Sequence, residues 1–184
     1  MRHPAIALTF FLLLTSTVLA EDAIVAPDWT LVSAEGDTVT LSVEAHQQPT
    51  VLLFWATWCP YCKALMPHLQ SLRFEHGSDI KILAINFSDK DGDPVAFVRD
   101  AGYDFVVLPD GDAVAAAYRI YGTPGVVIVD QDRKIRFDLR ALPRLNLPAS
   151  EQSASNKRKA AYLAPYWAAE IRKAVDQIRS ESTR

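Results

Sequence analysis

The sequence contains few of the residues from which several common kinds of site are built. Its 184 residues include only two cysteines, Cys59 and Cys62, and four histidines. Two thiols can neither build a disulfide framework nor supply the four thiolates of a structural zinc site or an iron–sulfur cluster. Whatever chemistry these cysteines perform, they perform it as a pair.

An excess of positive charge is also missing. Nineteen basic and twenty-two acidic side chains leave a formal net charge of −3, with both signs spread along the chain. A protein that grips a phosphate backbone needs a basic face, so this balance argues against nucleic-acid binding. Hydrophobic residues make up 49% of the chain, which is typical of one packed globular domain.

The longest apolar stretch, residues 5–20, is short of the roughly 20 residues that a membrane-spanning helix needs. It follows Arg2 and ends in small residues at Ala20. This pattern predicts a secretory signal peptide over 1–20 and a domain over 21–184. An uncleaved membrane anchor is the alternative. Both interpretations place the domain in a periplasmic or otherwise extracytoplasmic compartment, where paired thiols meet oxidising conditions.

The rest of the chain alternates strand and helix patterns. A hairpin is predicted at 30–33 and 38–42, and residues 51–55 indicate a central strand because they are apolar at every position. A helix over 60–76 places three leucines on one face: Leu65, Leu69 and Leu72. The later elements are strands at 80–87, 105–108, 126–130 and 134–139 and helices at 94–101 and 112–118.

The end of the chain has a different composition. Residues 141–159 contain prolines, serines and three consecutive basic residues, and they predict an exposed linker. A last helix is expected over about 163–180, beginning near Pro165, because proline suits the first turn of a helix.

The candidate chemistry is concentrated in the pattern Trp58-Cys59-Pro60-Tyr61-Cys62. At the first turn of a helix, unpaired backbone N–H groups and the helix dipole favour an anion on the first sulfur. We therefore expect Cys59 to have a pKa below the usual value of about 8.5 and to be the attacking thiolate. Cys62, one turn deeper, is the expected resolving thiol. A structural disulfide or a metal-binding pair is the alternative on this motif alone.

Four features occur in a specific order along the chain. They are Pro27-Asp28-Trp29-Thr30-Leu31, the run Val51-Leu52-Leu53-Phe54-Trp55 leading to Cys59, Pro67, and Gly122-Thr123-Pro124 before a strand. Together they resemble the thioredoxin fold, and more narrowly the extracytoplasmic TlpA/ResA-like thiol–disulfide oxidoreductases. The resemblance covers most of residues 27–140. It implies an α/β fold with a central mixed sheet flanked by helices, an N-terminal hairpin, and an extra strand–helix insertion before the proline loop.

The resemblance also implies a substrate site. In that family the proline matching Pro124 is cis and faces the two cysteines, which leaves the backbone of Thr123 free to pair with an extended substrate segment. We expect further substrate contacts from Trp58, Pro60 and Tyr61. No metal ligand is predicted, and the Cys59–Cys62 disulfide itself takes the place of a cofactor.

Two acidic residues of related proteins are missing. TlpA/ResA-like proteins commonly carry a glutamate where this chain has Leu65, and cytoplasmic thioredoxins carry a buried aspartate where it has Leu53. Such a carboxylate can accept the proton of the resolving thiol. The resemblance favours the reductive direction, and a disulfide oxidase or isomerase is the alternative.

The predicted function is exchange of dithiol for disulfide with protein substrates. The resemblance implies partners such as apocytochromes c or copper-site assembly proteins, and a membrane electron carrier that recharges the pair if the direction is reductive. From a different class, the alternative is a binding module whose cysteines form a structural disulfide or chaperone a metal.

Two other kinds of site are disfavoured by particular residues. A peroxiredoxin would need a proline and a threonine seven and three positions before its cysteine, where this chain has Leu52 and Ala56. Asp89 and the aspartates after it imitate part of a calcium loop, but Pro94 stands where that loop requires glycine. We therefore expect a solvated turn there.

Overall fold

The computed structural model describes residues 24–182, and the predicted signal peptide lies outside this range. The described chain opens with an antiparallel hairpin of β1 (Thr30–Val32) and β2 (Thr38–Thr40), followed at once by helix α1 (Leu41–Gln47). The predicted second strand was two residues too long. Leu41 and Ala45, which are four residues apart, are both buried on one face of α1.

A five-stranded mixed sheet with the order β5-β4-β3-β6-β7 forms the centre of the fold. Its middle strand, β3 (Thr50–Trp55), is buried at all six positions. β3 pairs in parallel with β4 and antiparallel with β6. The other strands are β4 (Lys81–Asn86), β5 (Val106–Leu108), β6 (Gly125–Val129) and β7 (Ile135–Asp138).

Successive residues of β3 point to opposite faces of the sheet, and each face carries its own core. Leu53 and Trp55 belong to the core that also contains both cysteines, whereas Leu52 and Phe54 belong to the core on the other face. Because helices cover both faces, a strand that is apolar at every position is stable here. The helices before the proline loop are α2 (Pro60–His76), α3 (Pro94–Asp100) and α4 (Asp112–Ala117).

These elements confirm the predicted architecture. The hairpin, the mixed sheet and the α3–β5–α4 insertion are all present. The predicted face of α2 is also confirmed, since its three leucines are buried. Within residues 24–182, no helix has both the length and the apolar character that crossing a membrane requires.

The segment after β7 is more regular than the predicted linker. It contains the short helix α5 (Ala149–Gln152), and the last helix, α6 (Asn156–Ser182), begins well before Pro165. The predicted helix start near Pro165 is therefore wrong, because this proline lies inside α6.

Local contacts explain the early start of α6. The Ser155 hydroxyl accepts a hydrogen bond from the Arg158 N–H over 3.4 Å, which caps the first turn. The Arg158 guanidinium also donates to both carboxylate oxygens of the buried Glu151, at 2.8 and 2.6 Å. Ala160 and Ala164 are buried, so the added turns pack closely against the domain.

Candidate functional site

The two cysteines lie where the middle strand of the sheet passes into α2. Cys59 is the N-cap residue of this helix, and Pro60 occupies its first turn. A proline is favourable at this position because its missing N–H would have had no partner inside the helix. The junction therefore places the Cys59 sulfur against the free N–H groups of the first turn, as the sequence predicts.

Hydrogen bonding joins the two residues directly. The backbone N–H of Cys62 donates to the Cys59 sulfur over 3.1 Å. Both cysteines are thiols in this structure, and their exposed fractions are 1% for Cys59 and 0% for Cys62. Exposure therefore hardly distinguishes them. The electrostatic surroundings of the two thiols distinguish them clearly.

The surroundings shift the two thiols in opposite directions. A hydrogen bond from the Cys62 side chain is the largest influence on Cys59, and together with the Thr123 hydroxyl it lowers the pKa of Cys59 to about 6 against the opposing effect of burial. Burial is the main reason that the pKa of Cys62 is raised, and the hydrogen bond to Cys59 and the charge of Cys59 raise it further. At neutral pH the pair thus consists of a thiolate at Cys59 and a thiol at Cys62.

The loop before β6 completes the site. The Thr123–Pro124 peptide bond is cis, and the Thr123 side chain acts to lower the pKa of both cysteines. Within the described part of the chain, no backbone hydrogen bond involves the N–H or C=O of Thr123. These two groups are thus unpaired at the position where the sequence analysis expects a substrate segment to bind.

The aromatic neighbours of the cysteines have different contacts. The Trp58 side chain is 60% exposed, and its indole N–H donates to the carbonyl of Ser88 over 2.9 Å. Tyr61 leans toward α6, where its ring lies 6.1 Å from the ring of Trp167 between centroids. The structure therefore brings all the residues predicted for the site to one edge of the sheet, with Trp58 turned toward the loop after β4 and Tyr61 toward the last helix.

Asp89, which the sequence places in a solvated turn, instead contacts the segment that leads into Cys59. Its carboxylate accepts hydrogen bonds from the Thr57 N–H at 2.6 Å, from the Thr57 hydroxyl at 2.8 Å and from the Asn86 side-chain amide at 2.8 Å. Burial acts to raise the pKa of Asp89, but these hydrogen bonds lower it overall. The carboxylate thus holds the segment that leads into Cys59, and the expected solvated turn is wrong for Asp89.

The neighbouring loop fits closely around the same contact. A Cβ atom placed on Gly92 would collide with the Thr57 hydroxyl and the Asp89 carboxylate, so glycine leaves the room that this contact needs. The pairing of two strands explains this arrangement. Asp89 follows the strand β4, which runs parallel to β3, and the carboxyl ends of parallel strands meet at one edge of the sheet.

Leu53 and Leu65 occupy the positions of the missing acids. Both are fully buried in the core that contains the two cysteines. Neither position offers a proton acceptor to Cys62. Among residues 24–182, no group of three or more histidine, cysteine or acidic side chains is placed to hold a metal ion.

Residues 24–138 match the model of the AhpC/TSA family. The thioredoxin-like protein YneN of Bacillus subtilis is 31% identical over 109 residues, which are 58% of this chain and 64% of YneN. The thiol–disulfide oxidoreductase ResA of Halalkalibacterium halodurans is 30% identical over 112 residues, or 60% of this chain and 63% of ResA. The chain therefore spans less than two thirds of the length of these relatives.

A solved structure shows the same fold. The thioredoxin domain of a thiol–disulfide oxidoreductase from Bacteroides vulgatus superposes with a TM-score of 0.58 at 20% sequence identity. The match covers 68% of this chain and 91% of that domain. At this identity the likeness establishes the thioredoxin-like fold.

Proposed function

Because this chain belongs to the AhpC/TSA family, and its relatives include a protein named as a thiol–disulfide oxidoreductase, we propose that it is itself a thiol–disulfide oxidoreductase. Cys59 and Cys62 are the reactive pair, and the disulfide between them is the redox group. The observation that carries this proposal is the 3.1 Å hydrogen bond from the Cys62 N–H to a Cys59 sulfur with a lowered pKa.

The proposed reaction has two exchange steps. The Cys59 thiolate attacks one sulfur of a substrate disulfide, the substrate S–S bond breaks, and the other substrate sulfur leaves as a thiolate. Cys62 then loses its proton and attacks the Cys59 sulfur, which breaks the mixed disulfide. The substrate departs as a dithiol, and the Cys59–Cys62 pair is left oxidised by two electrons.

The second step needs a thiolate at Cys62 although neither position 53 nor position 65 carries an acid. The charge of Cys59 and the hydrogen bond to it both raise the pKa of Cys62. Both influences disappear once Cys59 is neutral in the mixed disulfide. The first step therefore lowers the pKa of Cys62 and prepares the second step.

Substrates are proposed to bind beside the cysteines as extended polypeptide. The free N–H and C=O of Thr123 supply the pairing edge, and Pro124, Trp58, Pro60 and Tyr61 border it. The substrates belong to an extracytoplasmic compartment, with apocytochromes c and copper-site assembly proteins as the classes that the resemblance suggests. A membrane electron carrier would return the pair to the dithiol form.

The reductive direction is supported by the resemblance to TlpA/ResA-like proteins. One observation favours a disulfide oxidase as the second candidate. A low pKa at Cys59 stabilises the dithiol form at neutral pH, and a stabilised dithiol form makes the disulfide more oxidising. The reduction potential of the pair decides between the two directions.

The test uses the purified protein in two measurements. The first follows reduction of a disulfide-bonded protein by dithiothreitol, which wild type should accelerate and Cys59→Ser should not. Equal rates for the two proteins would return the pair to a structural or metal-binding role. The second equilibrates the pair with redox buffers: a potential near −270 mV, as in thioredoxin, supports a reductase, and one near −120 mV supports an oxidase.

A further inference from the structure

A groove of about 590 Å³ extends from the proline loop to the C-terminal helix. Thr123 and Pro124 line it at the site, and Tyr61 lies beside them. Residues 139–147 and α6 provide the rest of the lining. The groove is therefore continuous with the proposed substrate edge, and it is shaped by the segment that the sequence predicted as a linker.

The lining of the groove is largely apolar. The segment after β7 contributes Leu142, Leu145 and Leu147, and α6 contributes Leu163 and Trp167. Leu145 is 39% exposed within this lining, so part of the apolar surface faces solvent. This surface could bury a large apolar side chain of a bound segment.

Two arginines line the groove, and only one of them has an ion-pair partner among the described residues. Arg140 forms an ion pair with Asp138, so its charge is matched within the domain. Arg144 is exposed, and none of the ion pairs within residues 24–182 includes it. Arg144 thus gives the groove one unmatched positive charge on a chain with a formal net charge of −3.

We propose that this groove selects the substrate by binding the extended segment that flanks the substrate's reactive cysteine. A large apolar side chain lies on the leucine-lined surface, and an acidic side chain meets Arg144. This proposal rests on the proposed function, because the groove only matters if a protein substrate reaches Cys59. An extended chain rises about 3.3 Å per residue and turns alternate side chains to one face, so one segment can reach both features.

The test compares matched peptides. Each acetylated peptide carries one cysteine whose sulfur is bonded to 2-nitro-5-thiobenzoate. A leucine lies two residues from this cysteine, and either glutamate or lysine follows the leucine on the same face of the extended chain. A second pair carries these residues in the reverse order. The Cys59 thiolate attacks the peptide sulfur, the coloured thiobenzoate leaves, and Cys62 then releases the peptide thiol as the Cys59–Cys62 disulfide forms. Release of colour from the reduced full chain gives the rate.

Wild type should react about three- to tenfold faster with the glutamate peptide than with the lysine peptide in at least one order, since an exposed charge pair contributes modestly. Arg144→Glu should reverse this ratio. Lys173→Glu, a reversal at an exposed residue of α6 outside the groove, should leave the ratio as in wild type. Leu145→Ser should slow both peptides and keep the ratio.

Two results would overturn the inference: equal rates for the two peptides in wild type, or an unchanged ratio in Arg144→Glu. Failure of the proposed function gives a different result. In that case wild type would react with 5,5′-dithiobis(2-nitrobenzoate) no faster than Cys59→Ser does, whatever the peptides show.

Discussion

The N–H of Cys62 donates a hydrogen bond to the Cys59 sulfur over 3.1 Å. The Cys62 thiol also gives the largest of the influences that lower the pKa of Cys59. The residue that resolves the proposed mixed disulfide is thus the residue that first activates the nucleophile. Removing Cys62 should therefore change the first step of the reaction as well as the second.

The first prediction concerns the pKa of Cys59. In wild type its alkylation by iodoacetamide should reach half of its maximal rate near pH 6, because the thiolate is the reacting form. Cys62→Ala should move this midpoint upward, since the thiol donor is lost. Cys62→Ser keeps a hydroxyl donor and should give a smaller shift. Identical midpoints in wild type and Cys62→Ala would contradict the assignment.

The second prediction assigns the order of attack. Cys62→Ser should accumulate mixed disulfides with substrate proteins, because Cys59 still attacks while the resolving step is lost. Cys59→Ser should accumulate far fewer. Non-reducing gels of each variant after incubation with an oxidised protein measure this directly. Trapping by Cys59→Ser alone would reverse the two roles.

The third prediction concerns Asp89. Three donors converge on its carboxylate, and an asparagine in its place would replace these charge-assisted hydrogen bonds with weaker neutral ones. Asp89→Asn should therefore lower the free energy of unfolding by about 1–3 kcal/mol and slow exchange with protein substrates, since the segment before Cys59 loses its anchor. Urea unfolding and the reductase assay measure the two effects.

The pH dependence of unfolding offers a sharper test of Asp89. Its pKa is lower in the folded protein than the usual 3.8, so its contribution is fully present above that value and is lost as the pH falls through the folded pKa. The stability difference between wild type and Asp89→Asn should therefore shrink below about pH 4. Asp91→Asn, at an exposed position of the same loop, is the matched control and should match wild type throughout. A difference that persists at pH 2 would exclude a role for the charge.

The structure also shows how far the sequence could be interpreted. The strand leading to Cys59 and the helix after it were predictable because burial on both faces and the leucine spacing of α2 are local patterns. The start of α6 was not, because it depends on the pairing of Arg158 with Glu151 across the α5–α6 connection and on close packing of Ala160. The role of Asp89 likewise depends on two strands meeting at one edge, which single-strand patterns do not reveal.

The last prediction concerns Leu65, which is fully buried in the same core as both cysteines. Leu65→Glu would place a carboxyl group there without a partner, and ionising it should destabilise the fold by about 3–5 kcal/mol. Burial should raise the pKa of the introduced carboxyl above its unfolded value of about 4.3. Stability should therefore be lost as the pH rises from about 4 through the folded pKa.

The matched variant for this prediction is Leu65→Gln, which has nearly the same shape and no charge. Once ionised, the introduced carboxylate should raise the pKa of Cys59, because a like charge disfavours the thiolate. The alkylation midpoint of Leu65→Glu should thus lie above that of Leu65→Gln, and the stability gap between the two variants should widen from pH 4 upward. Equal midpoints in folded samples of both variants would show that position 65 does not act on the sulfurs. In that case a carboxyl group at position 65 would not be placed to accept the proton of Cys62.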